Sequence, residues 1–324
     1  MSYKIDLKDK KLLYELDLDS KQSYGQLARK IGLSKNAVSY RIQQLKKAGI
    51  IRGFNAMINV GNLGYSVFRI YLNLCNTAPK KEEEIIEFLK SKKMVTWVVS
   101  MDGKYNIAAL ILTNSLEEVH LLWHELIEKY INYFNDRMLT IITNSYYFPK
   151  AYLCGIKRND KEIALITEPK ELFNDRKDIE IIKILSHDAR TPIIDIAEKL
   201  KITPKTVIRR IKDLKKNKII VGYKTSFDLQ KLGYQSFKVG FILLRVTDKT
   251  RKDFLEYCKN HPNIVYQEMA VGGDDFEIEI QVENMVELRK VIDDIKDRFS
   301  DVISDYNISH VYHKHKSVFF PIVI

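Results

Sequence analysis

Apolar residues in the first part of the chain recur at helical spacing. Leu12, Leu13 and Leu16 share a face of Leu7 to Leu18. Ser23 caps a short second segment carrying Leu27, Ala28 and Ile31, and Gly32 ends it. Ser34 then opens SKNAVSYRIQQLKKAGII, in which Val38, Ile42 and Leu45 point one way and Lys35, Asn36, Ser39, Tyr40 and Gln43 the other. A serine at the start takes up an orphan N–H of the first turn, and Gly49 supplies the left-handed residue that ends a helix cheaply. Three short helices, the last two joined by a tight Gly-containing turn, predict a helix-turn-helix unit. Ile50 to Asn59 reads as a strand leading out of it.

From Ser66 the period becomes two. Phe68, Ile70, Leu72 and Leu74 line one strand face, and Ile85, Ile86 and Leu89 make the inward stripe of a helix over Glu82 to Lys92. Val95 to Ser100 and Ile107 to Leu112 predict strands around Met101-Asp102-Gly103-Lys104. A second helix carries Leu116, Val119, Trp123, Leu126, Ile127 and Tyr130, and Met138 to Tyr147 is a last strand. The order β-α-β-β-α-β is that of the ferredoxin-like unit. Phe148 to Asn174, with Pro149, Pro169 and a charged run from Lys157 to Glu162, is read as a connector.

The plan then recurs at a constant offset of 169 residues (203 less 34): Ser34 maps to Thr203, Val38 to Val207, Arg41 to Arg210, Ile42 to Ile211 and Leu45 to Leu214. Leu63-Gly64-Tyr65 maps in the same register to Leu232-Gly233-Tyr234. The chain is an internal duplication, and a repeat of that length is a complete structural unit. In the second copy Asp178 to Ser186 and Ile193 to Leu200 are the first two helices, and Thr203 and Pro204 open the third. Lys201 and Lys218 replace Gly32 and Gly49, and Asn217 is the residue expected to turn left-handed there. Phe237, Val239, Phe241 and Leu243 mark the strand face; Phe254, Leu255 and Cys258 match the first helix stripe. Leu288, Val291, Ile292, Ile295 and Phe299 mark the second, before a last strand from Val302 to Tyr312. The central turn, Gly272-Gly273-Asp274-Asp275, reads as longer than its counterpart.

Charge changes the picture. The 324 residues carry a net charge of +11, which favours an anionic partner. Lys and Arg thicken around the two third helices: Lys35, Arg41, Lys46, Lys47 and Arg52 at the first, and Lys205, Arg209, Arg210, Lys212, Lys215, Lys216, Lys218 and Lys224 at the second, these opposed only by Asp213. Three widely spaced cysteines offer no disulfide framework or metal pair, which suits a reducing cytosol. The start of the chain has no apolar secretory core, no run approaches a membrane span, and Val318 to Ile324 is expected to pack as a tail.

The exposed helix faces hold the candidate chemistry. Amides, hydroxyls, a phenol and cations without carboxylates suit base edges and phosphates. The DNA-contacting candidates are Ser34, Lys35, Asn36, Ser39, Tyr40, Arg41, Gln43 and Lys46, and Thr203, Lys205, Thr206, Arg209, Arg210 and Lys212. Arg41 and Arg210 flank the apolar stripes, and either grip phosphate or buttress the fold. His120 and His124 have i, i+4 spacing but no intervening Glu in the metalloprotease sense, and Trp123 marks a buried face beside them. His313 and His315 share a strand face and read as a polar strand end. No metal or cofactor is expected.

The first repeat resembles the Lrp/AsnC (feast–famine) transcription regulators. The resemblance is carried by D-x-K-x-L-L from Asp9, Leu27-Ala28-x-x-x-Gly32-Leu33-Ser34, Val38, Arg41-Ile42, Leu45, Gly49-Ile50-Ile51 and Leu63-Gly64. It implies an α+β fold of two tandem units, each a winged helix-turn-helix domain followed by a ferredoxin-like sensing and dimerisation domain. The expected divisions are 1–60, 61–148, a connector at 149–172, 173–228 and 229–324. The resemblance also implies duplex DNA as partner, self-association through the sensing domains, and a small effector, commonly an amino acid. By analogy the effector region holds Gly103, Tyr105 and Asn106, and Gly272, Gly273, Asp274 and Asp275.

Because one chain carries both units, they are expected to pair within it and to address two different half-sites roughly 34 Å apart, one helical turn. The rival class is enzymatic: siroheme decarboxylases share this architecture. Their tetrapyrrole chemistry calls for His and Arg on the strand before the central turn, and neither Val95 to Met101 nor Val265 to Ala270 has one.

Overall fold

A computed structural model describes residues 3–156, 162–166, 169–170, 175–318 and 320. The chain begins with α1 (Leu7–Leu18), α2 (Tyr24–Ile31) and α3 (Lys35–Lys47), then β1 (Ile51–Ile58). Asp6 and Asp9 form a reciprocal capping box at α1, Ser23 and Gln26 another at α2, and the Ser34 hydroxyl accepts the Ala37 N–H at α3. The ferredoxin-like part follows: β2 (Ser66–Leu74), α4 (Pro79–Ser91), β3 (Val95–Gly103), β4 (Ile107–Thr113), α5 (Leu116–Tyr130) and β5 (Phe134–Tyr147). In the connector, β6 (Ile163–Ile166) adds antiparallel to β5; Lys157 to Lys161 lie outside the described residues.

The second copy runs α6 (Arg176–His187), α7 (Ile193–Leu200), α8 (Pro204–Lys216), β7 (Ile220–Phe227), β8 (Gln235–Leu243), α9 (Asp248–Asn260), β9 (Ile264–Val271), β10 (Phe276–Val282), α10 (Met285–Arg298) and β11 (Ile303–Ser317). The expected tail falls mostly on 319 and 321–324, outside the described residues.

Three expectations need correction. Asn217 stays right-handed, with φ −80°, and Lys218 itself takes the left-handed position of Gly49, with φ +54°. Leu116 is not on the buried stripe but 73% exposed, and Leu122 packs inward instead. The second central turn is not longer: Asn106 Oδ1 accepts the Leu74 N–H and Asp275 Oδ2 the Leu243 N–H, so the two turns superpose residue for residue at the repeat offset.

The repeats are joined through shared sheets. β1 and β7 form an antiparallel ribbon, and one core runs through both helix-turn-helix units, from Leu12, Ile42 and Phe54 to Ile182, Ile211 and Tyr223. Reciprocal backbone bonds mark an internal two-fold: Ser20 N–H to Tyr223 O and Ala189 N–H to Phe54 O, and Asp228 N–H to Ile50 O and Asn59 N–H to Ile219 O. In the ferredoxin-like part the strands follow the order β2-β4-β3-β11-β8-β10-β9-β5, and β5 pairs back with β2. Among the described residues this closes an eight-stranded barrel, with the repeats meeting at β3–β11 and β5–β9. The helices pack outside it, α4 and α5 over Phe68, Ile70 and Val98, and α9 and α10 over Phe237, Phe241 and Phe276.

Candidate DNA interface and sensing turns

The caps and stripes of α3 and α8 fix which side chains are free. Val38, Ile42 and Leu45, and Val207, Ile211 and Leu214, are buried, so the remaining positions face out. Ser34, Lys35, Asn36, Tyr40, Gln43 and Lys46 are exposed, and Ser39 is half-buried. On α8, Thr203, Lys205, Arg209 and Lys212 are exposed, while the Thr206 hydroxyl lies against that of Thr203 in the cap. Lys46 extends over the Phe54 ring at 4.6 Å, and the equivalent Lys215 over Tyr223 at 4.7 Å. Equivalent positions differ in chemistry: Asn36 matches Lys205, Ser39 matches Ile208, and Tyr40 matches Arg209.

Arg41 and Arg210 are buttresses. Arg41 Nη1 donates to Asp6 and Asp9, each at 2.8 Å, and Arg210 Nη1 to Asp175 at 3.1 Å and Asp178 at 2.8 Å. These ion pairs tie each recognition helix to the N-terminal cap of the first helix of its unit. The bonds to Asp9 and Asp6 hold the Arg41 guanidinium above its ordinary pKa range.

The central turns that hold the effector candidates are mostly committed to structure. Tyr105 is buried and stacks on Tyr71, centroids 5.0 Å apart. Gly103 has φ +138°, and a Cβ there would sit 2.2 Å from the Ile308 carbonyl oxygen, so only glycine lets β11 approach. The Asn106 and Asp275 side-chain oxygens hold strand backbone, as described above. Asp274 accepts from Asn307 Nδ2 at 3.1 Å and faces Lys104 Nζ at 3.8 Å; burial pushes its carboxyl above the usual range. Gly272 and Gly273 are exposed. The gap inside the barrel beside Asp274 has a volume of about 20 Å³, room for little more than a water.

Two features escape the sequence pattern. Inside the barrel Arg69 Nη2 donates to Glu268 at 2.6 Å, Arg69 Nη1 and Lys238 Nζ both reach Glu277, and Lys238 Nζ lies 3.4 Å from Glu268. Burial alone would raise the Glu268 carboxyl; Arg69 and Lys238 outweigh it and hold it at about 2. Outside, a cleft of about 430 Å³ lies between α4 and β11, lined by Glu82, Glu83, Glu87, Ser100, His313 and His315 among others. Ser100 Oγ and His315 Nε2 are 2.8 Å apart, and burial followed by the His313 charge lowers the His315 pKa. Among the described residues no group of three or more His, Cys, Asp or Glu could hold a metal ion, His120 and His124 included.

A winged helix-turn-helix DNA-binding profile matches residues 5–52, and an AsnC-type helix-turn-helix profile matches residues 175–215. The HTH-type transcriptional regulator LrpA of Pyrococcus horikoshii is 33% identical over 115 residues, 36% of this chain and 80% of that protein. The chain belongs to the Lrp/AsnC family. Regulatory protein AsnC of Haemophilus influenzae is 28% identical over 118 residues, covering 36% of this chain and 78% of its own. The regulator Ptr1 of Methanocaldococcus jannaschii is 29% identical over 142 residues, 44% of this chain and 94% of its own.

This Lrp/AsnC chain is thus a DNA-binding transcription regulator with two units of a kind its relatives carry once. It is similar in fold to the siroheme decarboxylase NirDL, at a TM-score of 0.62 over 97% of this chain and 93% of that one. The identity there is 13%, so the likeness is one of fold alone. No helix among the described residues is long and apolar enough to cross a membrane.

Proposed function

We propose that the chain acts as an intramolecular pseudo-dimer that reads two non-identical DNA half-sites, with a small effector modulating it through the sensing turns. The observation that carries this reading is the pairing of two capped recognition helices whose exposed faces differ, Asn36, Tyr40 and Gln43 against Lys205, Arg209 and Lys212. The β1–β7 ribbon and the shared core support a fixed relation between the two helices. A symmetric dimer presents the same face twice and favours a palindrome; this chain presents amides and a phenol to one half-site and cations to the other. The cationic face favours phosphate contacts, the amide face base edges.

The effector rests on the family resemblance, which favours an amino acid. With so little room inside the barrel, it would dock on the outer side of the turns, against the exposed Gly272 and Gly273. The site of action is the cytosol, where the DNA of such regulators lies. Selection from random duplex DNA tests the half-site reading, using wild type beside Tyr40→Glu and Arg209→Glu, which alter equivalent positions. The expected result is an asymmetric two-part site, one part lost in each variant. Enrichment of a perfect palindrome, or loss of the same part in both variants, would overturn it.

A further inference from the structure

Among the described residues, four ion pairs run directly from the first ferredoxin-like and helix-turn-helix units to the second, and each of these runs in one direction. Arg52 Nη2 reaches Asp228 at 2.7 Å; Arg69 reaches both Glu268 and Glu277; Lys104 faces Asp274. In every case the cation belongs to repeat one and the carboxylate to repeat two. At the constant offset, the repeat-one counterparts of Asp228, Glu268, Asp274 and Glu277 are Asn59, Val99, Tyr105 and Ala108. None is acidic. The counterparts of Arg52 and Lys104 are Val221 and Gly273, so only Arg69 has a cationic equivalent, Lys238.

The barrel interior is divided accordingly. Repeat one fills its share with Tyr71, Val99, Met101, Tyr105 and Ala108, an apolar cluster, plus Arg69. Repeat two supplies both Glu268 and Glu277, plus Lys238. Tyr71 stacked on Tyr105 is replaced by Gly240 under Asp274, whose carboxylate occupies the space a Cβ at Gly240 would need. Joined as they are, the halves place two cations beside two carboxylates.

We infer that these residues form a pairing code: each repeat's barrel face accepts the other repeat and rejects a second copy of itself. This rests on the pseudo-dimer reading above. In a pair of first repeats, each Arg69 would face Val99 and Ala108 and two guanidiniums would be buried without a carboxylate. In a pair of second repeats, four glutamates would share two lysines in the same space. An uncompensated buried charge is among the costliest faults a core can carry, whereas the unlike pair is balanced. The partner that fits either face is the unlike half and not a further copy of the same one, so an unfused relative with two identical faces could not carry this one-way code. Charge here sets the choice of partner.

The test uses the full chain with a protease site inserted within residues 157–160 and cleaved after folding. Isotope-labelled and unlabelled nicked protein are mixed, and urea is raised and removed until the label redistributes. Native mass spectrometry without DNA then counts first–first, first–second and second–second pairs, so a failure of the DNA reading leaves the result untouched. The expected outcome is redistribution of label among first–second pairs, with like pairs at least ~100-fold below the statistical share. Like pairs near the statistical share in the wild type would overturn the inference. A quadruple variant, Arg69→Met, Lys238→Met, Glu268→Gln and Glu277→Gln, should raise the like pairs toward that share. If it folds and still pairs only unlike halves, the charges do not select and the inference falls. Should it not fold, the exposed-site double variant Arg52→Ala with Lys104→Ala takes its place. Like pairs should rise several-fold in it, and no rise would likewise count against the code.

Discussion

Glu268 stands between Arg69 and Lys238 with only 13% of its side chain exposed. Burial by itself would raise its carboxyl above the ordinary 4.5, but Arg69 and Lys238 together bring it to about 2. A carboxyl depressed on folding adds stability above its unfolded pKa and loses that share as pH falls through the folded one. The window is therefore from about 4.5 down to about 2. Asp6, Asp175, Asp228 and Asp294 are shifted in the same direction, so the total acid sensitivity is not Glu268's alone. The discriminating measurement is the stability gap between wild type and Glu268→Gln, from urea unfolding at several pH values. The gap should be large at pH 7 and shrink across that window; a gap that does not change with pH would mean the carboxylate charge contributes nothing. Arg41 makes a related point: a cation on a recognition helix invites a phosphate role, yet its two aspartates lie in the chain itself, and sequence spacing alone left both roles open.

Among the elements, the two recognition helices end in the same left-handed turn made from different residues. Gly49 holds φ +71° and Lys218 φ +54°. A side chain in that region costs about 1–2 kcal/mol, and glycine avoids it while giving back about 0.5–1 kcal/mol through a freer unfolded chain. Lys218→Gly should therefore stabilise the protein by roughly 0.5 kcal/mol, and Gly49→Ala should destabilise it by about 1 kcal/mol. A Cβ at Gly49 would also meet Lys231 Nζ at 2.6 Å, but that is the mobile end of a lysine, so backbone strain is the main cost. Equilibrium denaturation of the full-length variants checks both signs. The helices were legible because caps, stripes and glycines are local signals: Ser34, Thr203 and Gly32 mark boundaries through their own chemistry. The error at Asn217 came from the same kind of reasoning. Asparagine tolerates the left-handed region better than lysine, but the chain turns where the helix packing ends, one residue later.

On the scale of the whole molecule, alternation told which residues of β2 face the helices and left the other face unassigned. Phe68, Ile70 and Leu72 were readable as core, and the alternation gave Arg69 and Tyr71 no place. Closure of two four-stranded sheets into one barrel turns that face inward, and closure depends on pairings between β3 and β11 and between β5 and β9 that no local signal encodes. The exposed side of α3 and α8 is the converse case, since its charge can be read from the sequence directly. The net charge of +11 is spread over the chain, yet the exposed Lys205, Arg209 and Lys212 concentrate cations on α8, while α3 shows Asn36, Tyr40 and Gln43 at the equivalent positions. Each phosphate contact releases condensed counterions, so the slope of log affinity against log salt falls in magnitude by ~0.9 per contact removed. Replacing Lys205, Arg209 and Lys212 with alanine should flatten that slope by roughly 2–3 and weaken binding to every sequence, on top of the lost preference at the α8 half-site. Tyr40→Ala should leave the slope unchanged and relax preference at one half-site only. DNA titrations across a salt series, on a selected site and on its half-site variants, separate the two effects. An unchanged slope in the α8 triple variant would mean that the second recognition helix does not lie against the phosphate backbone at all.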